Sequence, residues 1–305
     1  MTDRKPPIPA NGAVPLTHLG VIHATGADAT AFLQGQLTND VVRQPVGRAR
    51  LAGFCSAKGR LQASFIVLKR SEDDLLLIAA ADLLEATRKR LSMFVLRARC
   101  RLVDASVAWP LLGLVGVAAE TRAADLEPWS WRADSDASLL LRLPEAAGTG
   151  RAVVLGADRP SSEAAVPLET WRWLEVESGV AHMEAATVDR FVPQMVNHEA
   201  VGAVDFQKGC YPGQEVVARS QYRGTIKRRA MRFDSAAPLA AADEVFHEAD
   251  PGQPAGMVVN AAPNPHGGWS ALVEVKLAAL EGGTLHVRSA DGPVLERRPL
   301  PYPID

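Results

Sequence analysis

Cysteine is scarce in this chain: there are three among 305 residues, Cys55, Cys100 and Cys210. They are too few and too scattered for a disulfide framework, and none forms a Cys-x-x-Cys pair, which argues against a structural zinc site or a cluster held by this chain alone. The seven histidines form no metal pattern either. His18 and His23 fall in a strand-like region on opposite faces, and His198-Glu199 lacks the second histidine of a His-Glu-x-x-His helix. A glycine-rich phosphate loop is missing, because Gly282-Gly283 precedes a strand and reads as a turn. No apolar run approaches the roughly 18 residues needed to span a bilayer. Residues 1–10 are polar and proline-rich without a signal-peptide core, so the expected location is the cytoplasm, with no membrane partner.

What is present is a large globular composition. At 47% hydrophobic, the chain can bury a substantial core, and its length suggests two domains or one domain with a smaller module. Helical periodicity marks residues 28–37 and 82–95. Between them, residues 51–56, 61–68 and 75–79 read as a meander with a tight Ala57-Lys-Gly-Arg60 turn, followed by a strand at 100–103. Further strands are expected at 111–117, 138–142 and 151–155, then a helix opened by Pro167 and stopped at Gly179. After Arg232, short strands at 244–247, 255–259, 269–275, 284–288 and 293–297 alternate with Pro/Gly turns and indicate a small antiparallel barrel or sandwich. The fold class is therefore α+β, with an α+β unit at about 51–108 and a boundary near residue 231.

Chemistry concentrates in Lys208-Gly-Cys-Tyr-Pro-Gly-Gln-Glu215. Pro212 suits the first position of a helix continuing from Gln214, which puts Cys210 at a helix N-terminus. Unpaired N–H groups there, with Lys208 nearby, favour the thiolate over the thiol. The alternative is a cysteine that only packs as a small hydrophobe. Six cations, Arg219, Arg223, Lys227, Arg228, Arg229 and Arg232, follow within 14 residues with no acid among them. That run suits phosphate or carboxylate recognition. A second run, Arg88-Lys-Arg90 with Arg97, Arg99 and Arg101, reads equally well as a solvated face.

The motif from Phe206 to Arg219, followed by Tyr222-Arg-Gly-Thr-Ile-Lys-Arg228, resembles the signature of the YgfZ-type folate-binding proteins. These are relatives of the glycine-cleavage aminomethyltransferase that act in iron-sulfur cluster assembly and, linked to it, tRNA modification. Phe32-Leu-Gln-Gly-Gln-Leu-Thr-Asn-Asp-Val41 and Leu174-Glu-Val-Glu-Ser-Gly179 resemble further segments of that superfamily. The resemblance implies two intertwined, ferredoxin-like α+β units around a central folate cavity in residues 1–230, and a C-terminal β-barrel in 231–305. It implies tetrahydrofolate, or a one-carbon derivative, as ligand. Glu175 matches the glutamate that holds the pterin ring in the transferases, with Glu177 as the alternative register. Such a carboxylate can accept two parallel bonds from the ring N–H and amino group. Arg223 or Arg228 would meet the glutamate tail, Gln214 would join the folate contacts, and Tyr211 either stacks on the ligand or packs at the helix entry.

One departure separates this chain from the transferases. Where they carry an aspartate pair, Lys58-Gly-Arg-Leu-Gln-Ala-Ser64 offers Gln62 and Ala63, and a glutamine hydrogen-bonds but takes no proton at neutral pH. The leading expectation is an accessory protein for iron-sulfur cluster assembly or repair, acting through Cys210 on iron-sulfur client proteins or assembly factors. A folate-dependent one-carbon transferase is the second. A nucleic-acid-binding module using residues 219–232 is the third, and the small net charge of -2 counts against it.

Overall fold

The computed structural model describes residues 10–135, 137–156, 163–222 and 226–304. The chain begins with β1 (Gly12–Pro15), turns sharply through residues 16–18, and enters β2 (Leu19–Thr25). These neighbours belong to different sheets. A short helix α1 (Ala29–Gln34) follows, then β3 (Ala49–Cys55), β4 (Leu61–Ser71), β5 (Asp74–Ala80), α2 (Ala81–Ser92) and β6 (Arg101–Asp104). They complete one antiparallel sheet in the order β3-β4-β5-β2-β6. That sheet takes in Leu19–Thr25 as well as the meander read from the sequence.

The chain then returns to the first strand's sheet through β7 (Leu111–Val115), α3 (Val117–Arg122), β8 (Trp131–Ser135), β9 (Ser138–Ala146) and β10 (Thr149–Gly156), ordered β1-β7-β10-β9-β8. The central strands β4, β5, β7 and β10 are apolar on both faces because both are covered. In β4, Ile66 and Leu68 join one core cluster while Phe65 and Val67 join another, the period of two that a pleated strand imposes.

Helix α4 (Leu168–Glu177) lies at the centre, packed against β1 and β9 and against the C-terminal barrel. Trp171, Trp173, Leu174 and Val176 are each at most 2% exposed, so the helix is covered from more than one side. It stops where Gly179 takes a positive φ of 70°, the backbone state that glycine reaches without steric cost. A side chain there would strike the ring of Tyr302, whose hydroxyl donates to the Gly179 carbonyl at 2.7 Å.

After α5 (Gln214–Tyr222), the strands β11 (Arg228–Ser235), β12 (Glu244–His247), β13 (Gly256–Pro263), β14 (Trp269–Lys276), β15 (Leu285–Val287) and β16 (Val294–Arg298) close into a six-stranded barrel. Its attachment to the rest is polar and buried. Arg229 pairs with Glu199, Arg232 pairs with Glu177, and Asn197 donates to the Ala230 carbonyl at 2.7 Å. Asn260 exchanges two 2.9 Å bonds with the backbone of His182. Among the described residues no helix is long and apolar enough to cross a membrane.

Arg229 and Glu199 have side chains only 5% and 9% exposed. Removing one member of such a pair leaves the other charge buried and uncompensated. Glu199→Ala is therefore expected to lower unfolding stability by about 3 to 5 kcal/mol, measured by urea denaturation; a loss below 1 kcal/mol would show that the pair does not fasten the barrel.

Candidate functional site

The turn at residues 16–18, forced between two sheets, delivers His18 to the inward side of α4. There Glu175 is held by three hydrogen-bond contacts. Its Oε1 accepts from Trp171 Nε1 at 2.8 Å, one helical turn earlier, and His18 Nε2 lies 3.2 Å from Oε1 and 3.0 Å from Oε2. Burial by itself would raise the carboxyl's pKa. The charge and hydrogen bond of His18, with His182 and Trp171, outweigh it and bring the value to about 2, so Glu175 is ionised at neutral pH. Two further groups share this field. Burial lowers the Arg151 guanidinium to about 10, with Glu175 opposing, and burial also lowers His182.

Glu175, His18 and His182 line a partly open cavity of about 420 Å³, together with the β5–α2 junction and barrel residues Asn260 and Ala261. That volume falls within the range of small-molecule sites, about 300 to 1,000 Å³. A recess of about 20 Å³ adjoins it. Glu175 and His182 line both spaces, and Arg151 lines the recess.

The cysteine motif forms a separate site. Cys210 is exposed. Lys208 is not: its Nζ donates to the carbonyls of Gln34 (2.5 Å) and Leu37 (2.6 Å), at the C-terminal end of α1, and lies 4.9 Å over the Tyr211 ring. Burial lowers its pKa to about 8, opposed by the charges of Asp40, Asp205 and Cys210 in that order. Lys208 thus caps a helix end, where a cation meets the carbonyl dipoles.

Gly213 explains how the motif is seated. It has a φ of 79°, and an added Cβ would fall 2.4 Å from the Ser56 carbonyl oxygen and 2.6 Å from Gly59. Gly59, at φ 71°, would likewise strike Val216. Two glycines let the motif clasp the β3–β4 turn. Beside that turn, Asp189 accepts from Gln62 at 2.8 Å and from Ser56 at 3.1 Å.

Several expectations need correction. Pro212 lies in the turn before α5 rather than at its first position, because the helix begins at Gln214 after the left-handed Gly213. Tyr211 is 7% exposed and packs with Val204, Phe206 and Val217, away from the residues that line the cavity. Arg228 is committed to Glu274, with a 2.9 Å contact between Nη2 and Oε2. Arg223 lies outside the described residues. Gln214 is half-buried at the start of α5 and does not line the cavity. The β4 end that lacked an acid in the sequence receives one from Asp189.

Of the expected contacts among the described residues, Glu175 alone lines the cavity, while Glu177 is turned to Arg232. Of the run of cations after the motif, Arg229 and Arg232 fasten the barrel to the rest of the chain and Arg228 pairs within the barrel. Among the described residues, Arg219 and Lys227 of this run and Arg90, Arg97 and Arg101 of the other are exposed without an ion pair. His18, His182, Arg151 and Asp189 escaped the sequence reading. None sits in a motif, and strand and loop positions carry no signal of a shared pocket.

Residues 10–137 match the family model described as the GCVT N-terminal domain. The chain is 31% identical to the tRNA-modifying protein YgfZ of Edwardsiella ictaluri over 99% of its own length and 96% of that protein, and 28% identical to that of Photorhabdus laumondii over 97% and 95%. An uncharacterized protein of Haemophilus influenzae is 31% identical over 72% of each chain. The fold is similar to the glycine cleavage system aminomethyltransferase T of Bartonella henselae, with a TM-score of 0.74 at 18% identity, covering 96% of this chain and 86% of that one.

The three cysteines differ in environment. Burial pushes the Cys55 thiol up to about 12, and burial together with the charge of Asp28 raises Cys100. Near pH 8 only about one Cys55 in ten thousand is ionised. Iodoacetamide is therefore expected to label exposed Cys210 first, as read by mass spectrometry of each peptide. If Cys210 reacts slowest of the three, a role as accessible nucleophile or ligand is ruled out.

Proposed function

Because this chain belongs to the GCVT family, alongside the YgfZ proteins, we propose that it is a folate-binding accessory protein. In this role it supports iron-sulfur cluster assembly or repair and, through it, tRNA modification, with Cys210 as the working residue. The observation that carries the reading is the ionised, mostly buried Glu175 set in a partly open cavity of about 420 Å³. A charged carboxylate away from bulk water is costly unless its bonds are filled, and a ring N–H of a reduced pterin fills one. The two interleaved sheets correspond, on this reading, to the ferredoxin-like units that enclose the folate in the family.

Tetrahydrofolate should bind the full-length chain, and Glu175→Ala should weaken it by about 1.5 to 3 kcal/mol, roughly ten- to a hundredfold in calorimetric affinity. Cys210→Ser should leave that affinity unchanged, since Cys210 does not line the cavity. The same variant should fail to restore iron-sulfur enzyme activity in cells lacking the native protein. Full restoration by Cys210→Ser would remove the cysteine from the function.

A folate-dependent one-carbon transferase is the second reading, favoured by Asp189, which places a carboxylate beside Gln62. Acid–base work by a carboxylate needs its proton to be exchanged at the reacting group, and here Asp189 is engaged by Gln62 and Ser56. Incubation with an aminomethylated carrier protein and tetrahydrofolate is expected to release no ammonia above background. Release at a rate comparable to a genuine aminomethyltransferase would make the second reading the correct one.

A further inference from the structure

Glu175 has less capacity left than its charge suggests. An ionised carboxylate offers about four acceptor positions. Trp171 and His18 already reach Oε1, and His18 also reaches Oε2. One position on Oε2 remains, enough for a single ligand donor rather than two parallel ones.

The adjoining recess has the opposite demand. Its volume of about 20 Å³ holds about one water-sized atom. Arg151, 5% exposed, lines it, with Nε and Nη2 both spent on the Pro144 carbonyl at 3.1 and 3.0 Å. Its Nη1 makes no hydrogen bond among the described residues, and a guanidinium only donates. The His182 ring also lines the recess, is held by backbone bonds to Asn260, and has no hydrogen-bond partner of its own among the described residues.

We propose that the recess receives a carbonyl oxygen, and that the cavity selects a planar ligand whose edge is a lactam. The oxygen lies against Arg151 and His182, and the adjacent ring N–H reaches Glu175 Oε2. This rests on the folate reading and refines it. The pterin is held by its ring N–H and carbonyl, rather than by the N–H and amino group that two free carboxylate oxygens would accept.

Tetrahydrofolate and its 4-amino analogue, in which that carbonyl becomes an amino group and the adjacent ring N–H becomes an acceptor nitrogen, so that both halves of the lactam edge are inverted, provide the test by calorimetry on the full chain. An amino group in the recess would set donor against donor. The wild-type protein is expected to bind tetrahydrofolate at least about tenfold more tightly than the analogue, since a site built to pair one polar group rejects its mismatch strongly. His182→Phe and, separately, Arg151→Met should bring that ratio toward one, with thermal melts confirming that each variant is folded. If Arg151→Met does not fold, the His182 variant alone decides. Equal binding of the two compounds by the wild-type chain, or a ratio that neither folded variant changes, overturns the lactam assignment and leaves folate binding standing. Failure of both compounds to bind overturns the folate reading and this assignment together.

Discussion

Helix α4 is covered by a sheet on one side and a barrel on another, so a carboxylate on its inward face must have its bonds satisfied or lose its charge. Much of the architecture meets that requirement at Glu175. Trp171 supplies one donor from the same helix, at the i,i+4 spacing that places side chains on one face. His18 supplies the other from a three-residue turn between strands of two different sheets. The left-handed Gly179 ends the helix, and the chain beyond it brings His182 back to the same cavity. Asn260 of the barrel then fixes the His182 backbone from both sides. A single mostly buried charge thus ties three parts of the chain together.

The cavity and the cysteine surface are distinct, and one strand connects them. At one end of β4 the turn is clasped by the cysteine motif through Gly59 and Gly213. Along β4, Gln62 bonds Asp189, Ser64 receives the amide of Met183 at 2.9 Å, and Ile66 lines the recess beside Glu175. These alternate residues share a face, and four residues of extended chain span roughly 13 Å. The recess and the cysteine motif therefore sit against the same strand, which pairs with β3 from Leu61 to Leu68 and with β5 from Ile66 onward.

Charge in this protein is used mainly for assembly. Arg228, Arg229 and Arg232 follow the cysteine motif closely in sequence, yet each ends on a different glutamate from a different segment: Glu274, Glu199 and Glu177. Strand β11 alternates its side chains between faces, so Arg229 is sent opposite to Arg228 and Arg232, which lie four residues apart and bond different glutamates. Lys208 shows the same economy. Its proximity to Cys210 in sequence suggested an effect on the thiol, whereas its ammonium is directed to the carbonyl end of α1.

Local pattern was enough to read the α+β class, the meander, the central helix ending at Gly179 and the short strands of the barrel. Each depends on periodicity or on turn residues close in sequence. Cys210 was singled out by its motif and Glu175 by the family resemblance, and both are signals carried by short stretches of sequence. Helix boundaries shifted: α1 ends at Gln34 instead of running to residue 37, and the left-handed Gly213 displaces the start of α5 past Pro212. What only the tertiary structure decided was partnership. His18 meets Glu175 across 157 positions, and Gln62 meets Asp189 across 127. Such pairs leave no periodic trace in the sequence, since the chain's entry into one sheet, exit to another and return place them together only after both sheets and the barrel have closed around α4.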